Sequence, residues 1–149
     1  MTTTDNDKTS TGELLVGGAF MGNNVELDSD GNVVHTTAYQ EVNPQVLMKA
    51  DTYSDNGTSM MHELTEAYEG AKISAENKVS SPKSDEPNSV YKQAHHNATT
   101  APQIYNRSYN ANGNLISERN KGCVKKIYFV KSYNNPQDEN IIQTWEPNK

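Results

Sequence analysis

The residues whose types and spacing suggest chemistry lie in one short run, His-Glu-Leu-Thr-Glu at positions 62–66. In the H-E-x-x-H pattern, two histidines four positions apart leave the same side of a helix and bind zinc, and the glutamate after the first histidine activates a water molecule. Here Glu66 occupies the second histidine position, and a carboxylate is also a zinc ligand. The run therefore predicts a zinc site with His62 and Glu66 as ligands and Glu63 as the general base.

Catalytic zinc sites use three protein ligands and keep one position open for water. The next predicted helix carries the pair His95-His96, and a short loop joins it to the first helix. If the two helices pack antiparallel, one of these histidines can complete a site with His62 and Glu66. The local order Ala-His-x-x-Ala favours His95 as the third ligand, although helical spacing alone does not decide between His95 and His96.

Such a site predicts hydrolysis of an amide bond. Zinc lowers the pKa of its water towards ~7, and Glu63 then accepts the proton as the water attacks a carbonyl carbon. Because Glu66 replaces a neutral imidazole with a negative charge, we expect a weaker Lewis acid and slow or absent catalysis. Oxyanion stabilisation by a tyrosine is possible, and Tyr68, Tyr105 and Tyr109 are nearest in sequence to the two helices.

The helix that carries this motif is predicted over residues 59–78. Turn residues precede it at positions 55–57, and Thr58 or Ser59 is a suitable N-cap. At 100° per residue, four apolar side chains form a stripe roughly opposite His62 and Glu66, which predicts that the stripe packs on the core. The stripe consists of Met60, Leu64, Ala67 and Ala71.

The rest of the chain predicts strands on both sides of two helices. An Asp-Ser-Asp-Gly turn at 28–31 indicates a hairpin, and a Pro-containing loop at 80–87 separates the two helices. The predicted strands cover residues 14–20, 24–27, 32–36, 46–48, 105–109, 115–118, 124–133 and 141–145, and the second helix runs from 88 or 89 to 99. This order predicts an α+β fold: a β-hairpin layer, an active-site helix, a second helix and C-terminal strands.

Composition limits the other classes of function. Only 33% of the residues are hydrophobic, which predicts a thin core, and residues 1–12 are polar and aperiodic, so we expect a disordered lead followed by one domain over 13–149. A net charge of −6 without a basic stripe argues against nucleic-acid partners. No apolar run is long enough to span a membrane.

Cysteine usage and the N-terminal residues bear on location. The single cysteine, Cys123, excludes an internal disulfide and predicts a small buried residue. The first residues have no basic region followed by an apolar stretch, so no cleaved secretory signal is expected. These features predict a protein of the cytoplasm, or one exported by a route without such a signal, that acts on a peptide or protein substrate.

Several segments together resemble small zincin-like metallopeptidase domains of bacteria, some of which are joined to Rhs-type or polymorphic-toxin proteins. The matching segments are residues 17–23, 42–44, 57–58 and 62–68, and the resemblance covers about residues 13–100. It implies a zincin-like fold, His62 as the first zinc ligand and Glu63 as the catalytic base. Glu66 departs from the usual histidine, and the downstream glycine and histidine of longer zincin motifs are replaced by Glu69 and Ile73.

Two alternatives remain at the level of sequence. The polar, asparagine-rich composition is also typical of a non-enzymatic structural or interaction module of a bacterial or phage system, in which helix 59–78 is only scaffold. The run His95-His96-Asn97 weakly resembles His-metal finger nucleases. The acidic charge, the helix-favouring context and the absence of any later histidine disfavour that nuclease alternative.

Overall fold

The computed structural model describes residues 1–116 and 122–147 and confirms the predicted α+β class. Within these ranges the chain forms two sheets and three helices. In chain order the elements are β1 Thr2–Thr3, β2 Gly18–Leu27, β3 Val33–Val42, α1 Pro44–Ser54, α2 Ser59–Asn77, α3 Tyr91–Asn97, β4 Tyr105–Tyr109, β5 Leu115–Ile116, β6 Lys125–Lys131 and β7 Glu139–Trp145.

The first sheet, in the order β1-β3-β2, is built on the predicted hairpin. Strands β2 and β3 are antiparallel, with Gly18 opposite Val42 and Leu27 opposite Val33. In the turn between them, an Asp28 carboxylate oxygen accepts hydrogen bonds from the backbone N–H of Asp30 and of Asn32, at 2.9 and 2.8 Å. The hairpin prediction is confirmed, and each strand is longer than predicted because pairing continues on both sides.

Helix α2 lies on this sheet, but the prediction of its buried face was wrong. The face in contact with β2, β3 and α3 carries Ser59, His62, Glu66, Gly70, Ile73 and Ser74. Leu64 of the predicted apolar stripe is 46% exposed, and the other three stripe residues are half-buried. Small residues explain the choice of face: a Cβ on Gly70 would lie 2.5 Å from the Phe20 ring, so only glycine allows this approach.

The second difference from prediction is α1, which includes the apolar run predicted as strand 46–48. Asn43 caps the helix, because its side-chain oxygen accepts from the backbone N–H of Gln45 at 3.1 Å and of Val46 at 3.3 Å. Pro44 occupies the first turn, where its missing N–H costs nothing. The Asn-Pro pair is therefore a sequence signal for the start of a helix. The strand prediction relied instead on the short apolar run that follows this pair.

The second sheet, in the order β5-β4-β6-β7, is antiparallel and packs against α1. A buried cluster fills the space between them; its members are Val46, Ala50, Tyr128, Val130 and Ile142. The predicted C-terminal strands are confirmed here, except that positions 117 and 118 of the predicted strand 115–118 lie outside the described residues. Cys123 is half-buried, and its thiol contacts the Lys125 carbonyl oxygen at 3.3 Å.

Residues 1–12, predicted as a disordered lead, lie against the first sheet. Thr2 and Thr3 pair in parallel with β3, and the Thr4 N–H donates to the Val42 carbonyl at 2.9 Å. Further along, the Ser10 N–H donates to the Glu41 carboxylate at 2.8 Å. The edge of β3 that β2 does not cover supplies partners for backbone groups of this segment. No described helix is long and apolar enough to cross a membrane.

Candidate metal site

A cleft of about 800 Å³ opens where the first sheet, α2 and α3 meet. One wall comes from residues 13–16 and the start of β2, and the opposite wall from the segment 98–104 that follows α3. Lys83 lies at its rim, where it forms ion pairs with Glu13 and, at 3.3 Å, with Asp85. The side chains of His62, Glu63 and Glu66 line the cleft, so its chemistry is that of the predicted motif.

Three of the predicted residues converge in this cleft. Glu66 Oε2 lies 2.6 Å from His95 Nδ1 and 3.6 Å from His62 Nε2, and the two ring nitrogens are 3.1 Å apart. Zinc with nitrogen and oxygen ligands at about 2.0–2.1 Å separates tetrahedral ligand atoms by about 3.3 Å. Because the three observed separations bracket that value, the residues present fit a zinc ion with little rearrangement.

The tautomer of His62 follows from its hydrogen bond to Thr99. His62 Nδ1 contacts the Thr99 carbonyl oxygen, which can only accept, so Nδ1 carries the proton in the neutral ring. Nε2 is then left with a lone pair that faces Glu66 and His95. A backbone carbonyl that orients a ligating imidazole in this way is a common feature of metal sites. The nearby Glu66 carboxylate and the Thr99 carbonyl raise the pKa of His62.

The structure selects His95 over His96 as the third member. Both lie in the last turn of α3, but only His95 belongs to the group whose ligand atoms lie within 4.8 Å of one another. Neighbouring positions on a helix point about 100° apart, so His96 lines the cleft without reaching Glu66. Both histidines lie on α3.

Glu63 is placed beside the group without joining it. Burial raises its pKa to about 7, and the negative charge of Glu66 acts in the same direction. Its carboxylate packs directly on Gly18 of β2, where any Cβ would overlap it. A carboxyl group whose pKa is near neutral suits a general base, because it can both accept and return a proton at physiological pH.

Gln40 is a site residue that sequence reasoning missed. It lies on β3, is 2% exposed, and its amide nitrogen contacts Glu63 Oε2 at 2.5 Å and Glu66 Oε1 at 3.1 Å. Burial alone would raise the pKa of Glu66, but the nearby His62 and His95 rings and the hydrogen bond from Gln40 outweigh it, and the pKa is lowered. No local pattern marks Gln40, because its role depends on the sheet packing on α2.

The tyrosine of the cleft is Tyr91, which was not among the predicted candidates. Tyr68 is 64% exposed, and Tyr105 and Tyr109 lie on β4 of the second sheet. The Tyr91 ring contacts that of His95, with centroids 5.4 Å apart, and burial together with Glu66 and Glu63 raises its pKa to about 12. The available signal was helical spacing, since Tyr91 is one turn before His95.

Comparisons with protein-family models, with curated proteins and with solved structures give no match for this chain.

Proposed function

We propose that the protein is a zinc-dependent hydrolase of the metallopeptidase type, in which His62, Glu66 and His95 bind the metal and Glu63 is the general base. The assignment of the fold to the zincin-like group is part of this proposal. The observation that carries it is the convergence of three ligand atoms within 4.8 Å of one another in an open cleft, next to a carboxyl group with a pKa near 7.

Each residue has a distinct part. Zinc, when bound, supplies Lewis acidity that polarises a carbonyl oxygen and acidifies a water molecule. Glu63 takes the proton of that water and later returns it to the leaving amine. His62 is held by Thr99 in the tautomer that leaves Nε2 available, and Glu66 adds the negative charge that distinguishes this site.

The shape of the cleft supports a peptide substrate. Its lining continues beyond the three ligands and includes Lys83, Asp85 and Gln103. Apolar side chains from both walls line it, among them Leu14, Val16, Phe20, Ala101, Pro102 and Ile104. A cleft with apolar walls and a few polar groups is typical of a ligand-binding site, and a peptide with apolar side chains is the ligand proposed here.

The test is metal analysis followed by an activity assay. We expect about one zinc per chain after exposure to excess zinc and desalting, and chelator-sensitive cleavage of a quenched-fluorescent peptide library or of casein. Zinc below a tenth of an equivalent under these conditions would overturn the site. Stoichiometric zinc without any chelator-sensitive hydrolysis would leave a binding site and overturn the catalytic assignment.

A second candidate function is a non-enzymatic interaction module, and the outward face of α2 favours it. Met61, Leu64 and Tyr68 recur at helical spacing on this face and are 53%, 46% and 64% exposed. Apolar side chains arranged in a row at a surface are typical of contact with another macromolecule. This function predicts that binding of a partner is lost on changing Leu64 and Tyr68 but is unaffected by loss of the metal ligands.

A further inference from the structure

We infer that Gln40 is a positioning residue that assigns different roles to the two carboxylates of the site, keeping Glu66 as the metal ligand and Glu63 as the base. This inference rests on the proposed zinc site. The carboxylates of Glu63 and Glu66 both lie close to the histidine cluster, and a carboxylate of either residue is a chemically suitable zinc ligand. Some feature of the protein must therefore decide which of them does so.

The Gln40 amide contacts only one oxygen of Glu66. Its nitrogen donates to Oε1 at 3.1 Å, whereas the other oxygen, Oε2, is the one that faces His95 and His62. The hydrogen bond thus fixes the rotation of the carboxylate and presents a single oxygen to the metal. Outer hydrogen bonds of this kind orient ligands and raise metal affinity.

The same amide nitrogen also keeps the Glu63 carboxylate away from the proposed metal position. It donates to Glu63 Oε2 at 2.5 Å, and this is also the oxygen that packs on the backbone of Gly18. One oxygen of Glu63 is thereby engaged on the side of the sheet. A donor shared by two carboxylates also reduces the electrostatic repulsion between them. This repulsion would otherwise be strong because both carboxylates are partly buried.

The surroundings of Gln40 leave no substitute for it. The side chain is 2% exposed, and its own oxygen has no hydrogen-bond partner among the described residues. A buried polar oxygen without a partner costs free energy. The fold retains this cost at Gln40, whose amide nitrogen contacts both carboxylates, which is consistent with a role for that nitrogen.

The experiment compares zinc affinity in four proteins. Gln40→Met keeps an unbranched side chain of similar length and removes the donor, and we expect it to weaken zinc binding roughly 10–100-fold in a chelator competition assay. Glu66→His supplies a ligand that has no carboxylate to orient. In that background we expect Gln40→Met to change zinc affinity by no more than about twofold.

Two further variants serve as controls. Gln143→Met removes another strand amide, which donates to the Leu15 carbonyl at 3.1 Å, and should leave zinc affinity unchanged. Gln40→Asn keeps the amide but is too short to reach both carboxylates, so we expect reduced affinity here as well. Circular dichroism of each metal-free variant separates a role at the site from a role in folding.

The outcomes are distinguishable. A wild-type protein that binds no zinc overturns the proposed site and with it this role. Wild-type binding that persists unchanged in Gln40→Met and Gln40→Asn overturns the role of Gln40 alone. An equal loss of affinity in the wild-type and Glu66→His backgrounds, or loss of the folded state in both Gln40 variants, would make Gln40 a structural residue and also overturn it.

Discussion

Glu66 Oε2 lies 2.6 Å from His95 Nδ1, although α2 and α3 carry these residues 29 positions apart in the chain. The two helices are joined by a loop that returns α3 to the same side of the first sheet, and Ala94, which is fully buried, brings α3 close to α2. The contact turns a local pair, His62 and Glu66, into a site with three ligand groups.

Removal of either histidine of the group should abolish tight zinc binding. We expect His62→Ala and His95→Ala each to weaken zinc affinity by at least about 100-fold, because two ligands remain where three are required. His96→Ala is the matched control, since His96 is the neighbour that lines the cleft without reaching Glu66. A chelator competition assay measures all three; stronger loss in His96→Ala than in His95→Ala would contradict the geometry.

Replacement of the base should separate catalysis from binding. Glu63→Gln preserves shape but cannot accept a proton, so we expect hydrolysis to fall about 10²–10⁴-fold while zinc affinity changes little. Glu69→Gln is the control, as Glu69 is on the same helix and outside the metal-binding group. Rates are measured on zinc-loaded protein with a fluorogenic peptide. Hydrolysis that survives in Glu63→Gln would remove Glu63 from the reaction.

A methyl group at position 18 should disturb the base through direct overlap. The Cβ of Gly18→Ala would collide with the Glu63 carboxylate, and Gly18 has no positive φ that would add backbone strain. We expect a loss of about 1–3 kcal/mol in the free energy of unfolding, as for overpacking elsewhere. Denaturant titration in a Glu63→Ala background provides the check, because the penalty should largely disappear there. An identical penalty in both backgrounds would place the clash elsewhere.

The stability of the metal-free protein should fall as the pH rises from about 4.5 to neutrality and above. The folded pKa of Glu63 is about 7 against 4.5 in the unfolded chain, so the folded state binds more protons in that interval. The pKa of His62 is also raised above 6.5, so its contribution is present below 6.5 and is lost as the pH rises through the folded value. Glu66, with its lowered pKa, contributes above 4.5 and loses its contribution as the pH falls.

These three groups together predict an optimum of metal-free stability near the pKa of an ordinary carboxyl group, about 4.5, with a decline from there to neutrality and above. Thermal unfolding in the presence of chelator, measured from about pH 4 to pH 8, gives the profile. Glu63→Gln should flatten the decline between about pH 4.5 and pH 7, whereas the decline above pH 6.5 that is due to His62 should remain. Added zinc should reverse the trend, because the metal requires deprotonated ligands. A metal-free melting temperature that rises steadily across the range would contradict these assignments.

Local sequence determined the parts of the site that lie within a single element. His62 and Glu66 are one helical turn apart, so any helix over this segment brings them to one side. The Asp-Gly turn determined the hairpin in the same way, because its hydrogen bonds join residues of the turn itself. Even α1 had a local signal in Asn43-Pro44, which was outweighed by an apolar run that suits strand and helix alike.

Tertiary structure decided everything that depends on how the elements meet. The helical period gives the angles between side chains on α2, but it does not give the rotation of the helix about its own axis. That rotation is determined by packing: Gly70 approaches the Phe20 ring closely, and His62 and Glu66 therefore face the first sheet and α3. The choice of His95 over His96, and the recruitment of Gln40, likewise depend on contacts between residues that are distant in the chain. Such contacts depend on packing over the whole fold, and they cannot be predicted from a short stretch of sequence.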